Sequence, residues 1–170
     1  QLRKALPAVV EHEGPVYIRL FRRKAENVFD EGYAFRLGKA DPLQEGTDVT
    51  LIASGVCVAN ALRAAELLAQ EGLSARVLNM HTIKPIDADA VLKAASETGA
   101  LVTAENHNII GGLGSAVAEV LAEGQPTPLE RVGVKDHFGQ VGKASYLMGV
   151  FGITAEDIAK AARKAIARKH

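Results

Sequence analysis

Hydrophobic positions along the chain fall into two alternating rhythms. Short apolar runs at Val49–Ala53, Ala75–Met80, Ala100–Ala104 and Leu129–Val134 read as strands. They recur about every 25 to 30 residues, the length of a strand–helix–strand crossover. Between them the period changes to that of a helix. Ala88, Val91, Leu92 and Ala95 stand at i, i+3, i+4 and i+7, with Asp87 placed to cap and Pro85 just ahead of it. Val117, Ala118 and Leu121 repeat in the same way after Ser115. Gly72, Gly99 and Gly124 stand where these helices should stop.

The last helix is the clearest. Thr154 and Asp157 have capping-box spacing, and Ile158, Ala161, Ala162, Ala165 and Ile166 form one apolar stripe. Its basic end, with Arg163, Lys164, Arg168 and Lys169, suits the negative pole of the helix dipole. Strand–helix alternation of this kind predicts an α/β fold in three layers. Its sheet is mostly parallel, with helices on both faces.

The first 45 residues do not keep this rhythm. Leu2, Leu6, Val9 and Val10 suggest a helical face that Pro7 should limit to a last turn or two. Gly14 and Pro15 turn the chain, and Val16–Leu20 reads as a strand. A charged, irregular stretch follows, in which Tyr33–Leu37 is a candidate edge strand. One helix end and one strand cannot bury a core. Residues 1–21 are therefore expected to be the tail of another domain, residues 22–45 a linker, and residues 46–170 the complete domain.

Composition narrows the possibilities. The 170 residues are 48% hydrophobic, a globular composition, and long enough for one domain with a buried core. Twenty basic and twenty acidic residues cancel, which argues against nucleic acid or an anionic membrane as partner. No apolar run approaches the roughly 18 residues of a membrane span. Cys57 is the single cysteine, so an intrachain disulfide and a multi-cysteine zinc site are excluded. The cytoplasm is the expected compartment.

The run Ala100–Gly114 concentrates the candidate chemistry. Its apolar strand ends in Glu105 and His107, then Gly111, Gly112 and Gly114 precede a helix expected to open at Ser115. Open α/β sheets keep their functional surface at the carboxyl ends of strands. Glu105 and His107 have two readings, an acid–base or metal pair, and polar groups that fix a loop or interface. The glycines likewise suit an anion cradle or a tight turn with close packing. Their spacing is not the full dinucleotide fingerprint. His81, beside Thr82, is expected to bond locally, and Lys84-Pro85 to form a stiff loop rather than supply a catalytic lysine. His137 and Lys143 lie in or beside a loop, Asp136–Gly142, between strand and helix. Cys57 opens a helix, which would favour its thiolate, unless it is a small buried hydrophobe.

Several of these stretches together resemble one family. Gly14–Arg22 resembles the last strand of the transketolase pyrimidine-binding domain. Asp48–Gly55, Asn79–Asp87, Thr103–His107, Gly111–Gly114 and Phe151–Asp157 resemble the transketolase C-terminal domain in order and spacing. Thr82-Ile83-Lys84-Pro85 and the Glu-x-His pair with its glycine turn are specific only in combination. Related domains occur in deoxyxylulose-phosphate synthase and in 2-oxo acid dehydrogenase beta subunits, the nearest rival readings. A stand-alone nucleotide-binding or regulatory module, and a scaffold with no ligand, are rivals from other classes.

The resemblance implies a reaction. Transketolases of the pentose phosphate pathway move a two-carbon ketol unit between sugar phosphates with thiamine diphosphate and a divalent metal, magnesium. The Gly-Asp-Gly motif that holds this cofactor and the glutamate that activates it are not in the sequence. The chain alone is therefore expected to bind no cofactor or metal, to carry no catalytic residue and to be inactive. Its expected partner is the remainder of transketolase, in a homodimer or a heterotetramer. One site residue carries over by the resemblance. An arginine just after the last pyrimidine-domain strand contacts the substrate phosphate, and it aligns with Arg22. Guanidinium suits phosphate oxygens, although a solvated arginine in the basic run Arg22-Arg23-Lys24 is the plainer reading. His81, Glu105 and His107 are left as interface or loop-fixing candidates.

Overall fold

The computed structural model describes residues 1–21 and 25–169. Five strands form one sheet: β1 (Asp41–Gln44), β2 (Val49–Ala53), β3 (Ala75–Asn79), β4 (Leu101–Asn108) and β5 (Leu129–Val134). Their order is β1-β3-β2-β4-β5. Strands β2 to β5 are parallel, with Val49 opposite Ala75, Thr50 opposite Leu101 and Leu101 opposite Leu129. Strand β1 runs antiparallel to β3. The helices are α1 (Leu2–Glu11), α2 (Cys57–Gln70), α3 (Ala88–Thr98), α4 (Leu113–Glu123), α5 (Ala144–Val150) and α6 (Ala155–Ile166).

The three layers follow from the alternation of side chains along buried strands. Leu51, Val77 and Val102 face Ala61, Ala64 and Leu68 of α2 and Ile158 and Ala162 of α6. Ile52, Leu78 and Leu101 face the other way, onto Val91 and Ala94 of α3 and Val117 and Leu121 of α4. Each fully buried Leu, Ile or Val contributes about 1.5–3 kcal/mol by leaving water. Thr50 is a polar residue in this core, and its hydroxyl is satisfied 2.9 Å from that of Thr98.

Helix ends obey their local signals. The Asp87 carboxylate accepts from Ala90 N–H at the start of α3, and Gly99 closes that helix at φ 65°. Thr154 and Asp157 form a reciprocal capping box on α6, with Thr154 N–H donating to Asp157 Oδ2 at 3.1 Å.

Several sequence expectations are corrected. Helix α1 runs through Pro7, which leaves the carbonyl of the exposed Arg3 without its helical bond. Its apolar face is open: Leu2, Leu6 and Val10 are exposed, and Ala5 is its one buried residue. Val16–Leu20 is not a strand. Among the described residues, 13–21 make no backbone hydrogen bond, since no strand edge lies beside them to pair. The edge strand is Asp41–Gln44, not Tyr33–Leu37, so it lies within the stretch expected to be linker. Tyr33 and Phe35 instead turn their rings inward, onto Phe29 and His81. Strand β4 continues four residues past Ala104, with an irregular register after it, and α4 opens at Leu113 rather than Ser115.

Candidate functional site

The topology singles out one crevice. From β2 the chain crosses through α2 to β3 on one side, then returns through α3 to β4 on the other. The carboxyl ends of β2 and β4 therefore flank the point where the winding reverses, the usual ligand position in open α/β sheets. Ser54 and Gly55 lie on one side of it and Glu105 to Asn108 on the other.

Glu105 is buried, at 3% exposure. Its Oε2 accepts from Leu113 N–H and its Oε1 from Gly114 N–H, both at 2.8 Å. The carboxylate thus supplies the anionic cap that Gly112, the residue at the N-cap position, cannot provide, and the helix dipole stabilises it there. The glycines explain themselves by contact. A Cβ on Gly112 would collide with Glu105 Oε2, and one on Gly114 would lie 2.8 Å from Arg131 Cδ and 2.9 Å from Thr103 Oγ1. Gly111 takes φ 72°, which glycine tolerates. The turn is filled by the protein's own carboxylate and has no room for an external anion at those N–H groups.

His107 is exposed, and its Nδ1 accepts from Asn108 N–H at 2.8 Å. No hydrogen bond joins it to Glu105, so the structure does not assemble an acid–base pair from them. His81 sits elsewhere, past the end of β3, with Phe35 stacked 4.4 Å from its ring. Thr82 Oγ1 accepts from Gly38 N–H at 3.3 Å and lies 2.7 Å from His81 Nδ1. His81 Nε2 has no hydrogen-bond partner among the described residues and faces Asp41 Oδ2 at 3.7 Å. Burial holds the His81 pKa below its ordinary value against the opposing pull of Asp41.

Asp41 is the hub that sequence reasoning missed. Its Oδ2 accepts from Tyr33 OH at 2.7 Å and from Asn79 Nδ2 at 2.9 Å. Gln1 Nε2 reaches both, at 3.2 Å from Tyr33 OH and 3.4 Å from the carboxylate. Burial and the neighbouring Asp41 push the Tyr33 phenol up to about 12. The cluster ties α1, the 33–41 segment and β3 to one carboxylate. Its members lie far apart in sequence, and nothing in their spacing announces it.

Cys57 is fully buried at the start of α2. Burial, with a smaller push from Glu105, raises its thiol to about 12, so the helix start does not make it a thiolate. Lys84 follows the same carboxyl-end loop and is exposed, before a cis bond to Pro85. His137 and Lys143 are exposed in the loop after β5 and make no side-chain hydrogen bond among the described residues. Arg22 lies outside the described residues. Its flanking residues Phe21 and Ala25 line a cleft of about 240 Å³ with Val56 and Asn60 of the α2 start and Met148 of α5. Arg19 reaches the crevice itself, donating to Asn106 Oδ1 at 3.0 Å and to the Asn106 carbonyl at 3.2 Å.

No group of three or more His, Cys, Asp or Glu converges as metal ligands among the described residues. The chain also lacks a Gly-Asp-Gly motif. These residues do not fit thiamine diphosphate with its metal. No helix among the described residues is long and apolar enough to cross a membrane.

The domain is doubly wound α/β with one antiparallel edge strand, and its glycine turn is closed by its own carboxylate. The chain belongs to the transketolase C-terminal domain family, whose model matches residues 38–158. It is 56% identical over 170 residues to the 6-deoxy-6-sulfo-D-fructose transketolase subunit SqwH of Clostridium sp. (strain MSTE9), covering 100% of this chain and 53% of that one. It is 38% identical over 167 residues to 1-deoxy-D-xylulose-5-phosphate synthase of Heliobacterium modesticaldum (strain ATCC 51547 / Ice1), covering 96% of this chain and 26% of that protein. A solved split-gene transketolase, described as an inactive beta4 tetramer, superposes with a TM-score of 0.96 at 46% identity, over 99% of this chain and 55% of that one. The chain thus spans about half the length of the subunits it matches.

Proposed function

We propose that this chain is the C-terminal part of a thiamine-diphosphate-dependent transketolase that moves a two-carbon ketol unit between sugar phosphates in the cytoplasm. The observation that carries this reading is its 56% identity, along the whole chain, to a protein named as a transketolase subunit. Residues 1–21 are the end of a pyrimidine-binding domain followed by a linker, and the C-terminal domain begins with β1, ahead of the boundary expected at residue 46. Thiamine diphosphate and magnesium supply the carbanion chemistry from the N-terminal part, in a dimer or a heterotetramer. This chain contributes to assembly and offers Arg22 to the substrate phosphate, while Glu105 fixes the glycine turn and His81 and His107 serve as interface or loop-fixing groups. Alone it is inactive, like the beta4 tetramer of its split-gene relative.

The test is reconstitution. This chain is mixed with a chain bearing the Gly-Asp-Gly motif and the activating glutamate, with cofactor, magnesium and pairs of ketose and aldose phosphates. Ketol transfer by the mixture and by neither chain alone is expected. Activity of the single chain, or micromolar binding of thiamine diphosphate to it by calorimetry, overturns the proposal. The likeness to 1-deoxy-D-xylulose-5-phosphate synthase supports a second reading, as the C-terminal part of that enzyme. Formation of 1-deoxy-D-xylulose 5-phosphate by the mixture would select it.

A further inference from the structure

A cleft opens at the β5 border of the sheet, between β5, the turn Gly149–Gly152 and α6. Its volume is about 420 Å³, within the range of about 300–1,000 Å³ usual for small-molecule sites. All of its walls come from residues 130–164, so nothing ahead of β5 takes part in it. Val132, Val150 and the half-buried Phe151 give it apolar walls. Helix α6 lines it with one face. Asp157, Lys160, Ala161 and Lys164 recur there at i, i+3, i+4 and i+7, while Ile158, Ala162 and Ala165 are committed to the core.

The charges around this cleft do not balance. Glu130 is answered twice, by Lys164 Nζ at 2.9 Å and by Arg168 NH1 at 2.6 Å. Burial alone would raise its carboxyl pKa, but these two partners hold it below the ordinary value, so it stays ionised and paired. Asp157 spends its carboxylate on the start of α6, accepting from Thr154 N–H at 3.1 Å and from Thr154 Oγ1 at 2.8 Å. Arg131 donates to the Ile109 carbonyl at 3.1 Å. Lys135 and Lys160 are left over. Both line the cleft, both are exposed, and neither makes an ion pair or a side-chain hydrogen bond among the described residues. In a chain whose charges cancel overall, two unpaired ammonium groups at one cleft make a local positive excess. His137 lines the same cleft and can donate from its ring.

The geometry points to a binding site for a small phosphomonoester in this cleft. Lys135 and Lys160 meet the phosphate as point charges, His137 adds a donor, and the carbon skeleton of the ester lies against Val150 and Phe151. A phosphomonoester carries close to two negative charges at neutral pH, which matches the two unpaired lysines better than a single carboxylate does. Inorganic phosphate would leave the apolar walls uncovered. The site depends neither on Arg22 nor on the reaction proposed above.

Phenyl phosphate is the probe, titrated into the isotope-labelled chain and followed by amide NMR shifts. Inorganic phosphate and phenol serve as its two halves. Saturable shifts are expected at Val132, Gly149 and Gly152, with phenyl phosphate bound about tenfold or more tighter than either half. Lys135→Gln and Lys160→Gln should each weaken it about tenfold, the lower end for a lost charge-assisted hydrogen bond. Lys160→Arg, which keeps the charge, should bind near wild type. Both lysines are exposed, and unmoved core amide signals in the variants will show that the fold is intact. Lys93→Gln, at an exposed position of α3 on the other face of the sheet, should change nothing. No saturation by about 10 mM probe, weaker than millimolar binding, overturns the site. An equal loss in Lys93→Gln also overturns it, since the attraction would then belong to the surface at large. Inorganic phosphate bound as tightly as phenyl phosphate overturns the assignment to an ester.

Discussion

Glu105 and Gly112 meet so closely that no side chain fits between them. The carboxylate that caps α4 occupies the space a Cβ on residue 112 would need, and the Asn108 carbonyl closes the other side at 2.8 Å from that position. Gly112→Ala should therefore destabilise the domain by about 1–3 kcal/mol through overpacking. Glu105→Gln should cost about 1–3 kcal/mol by turning an amide N–H toward backbone donors. Urea denaturation of the two single variants and the double variant checks this. If the residues act as one unit, the double variant will fall well short of the sum.

His81 predicts a pH dependence of stability. Its folded pKa is depressed by burial, so the unfolded chain binds that proton more readily. Stability should then rise with pH between the folded value and the unfolded value of about 6.5, and fall as pH drops through that window. Urea midpoints measured from pH 7.5 to pH 5 should decline for the wild type. They should decline less for His81→Gln, which cannot take the proton. A parallel decline in the two proteins would show that His81 does not carry the effect.

Cys57 should be nearly inert in the native protein. Its thiol is buried and raised to about 12, so thiolate is scarce at neutral or mildly alkaline pH. Reaction with a thiol reagent at pH 8 is expected to be about a hundredfold or more slower in the folded chain than in denaturant. Comparable rates would mean that the start of α2 opens readily.

Arg22 gives the sharpest functional prediction. In the reconstituted enzyme, Arg22→Ala should lower the specificity constant for a phosphorylated donor roughly ten- to a hundredfold, the loss of one charge-assisted hydrogen bond. Hydroxypyruvate, which carries no phosphate, should be spared. Equal losses would assign Arg22 to support of the fold, and no loss would assign it to solvent.

The buried half of this molecule was legible in its sequence, because burial imposes periodicity. Val49–Ala53 and Leu129–Val134 appear where their apolar runs lie, and the Thr154–Asp157 capping box forms as its spacing requires. The misreadings fall where no such constraint acts. Val16–Leu20 alternates like a strand but has no neighbour to pair with, and alternation alone cannot supply one. Tyr33–Leu37 has strand-forming residues, yet its rings serve the His81 and Asp41 cluster, and the edge position passes to Asp41–Gln44. The site was legible only in part. Glu105 and the glycines stand close in sequence and were seen together. Asn106 and Arg19 are 87 residues apart, and no local rule connects them.

The two borders of the sheet are not alike. At one border, β1 is four residues long, contains Pro42, which has no N–H to offer a neighbour, and shifts register before Gln44. At the other, β5 is six residues long, without proline, and is flanked by Lys164 and Arg168, both paired to Glu130. A foreign strand arriving at β1 meets a short, broken ladder that cannot be copied onward. Growth of the sheet into a fibre or a misassembled stack is thereby blocked on one flank by covalent structure. On the other it is held off by charges and by the Arg168 guanidinium on the Leu129 carbonyl, a barrier that added salt weakens.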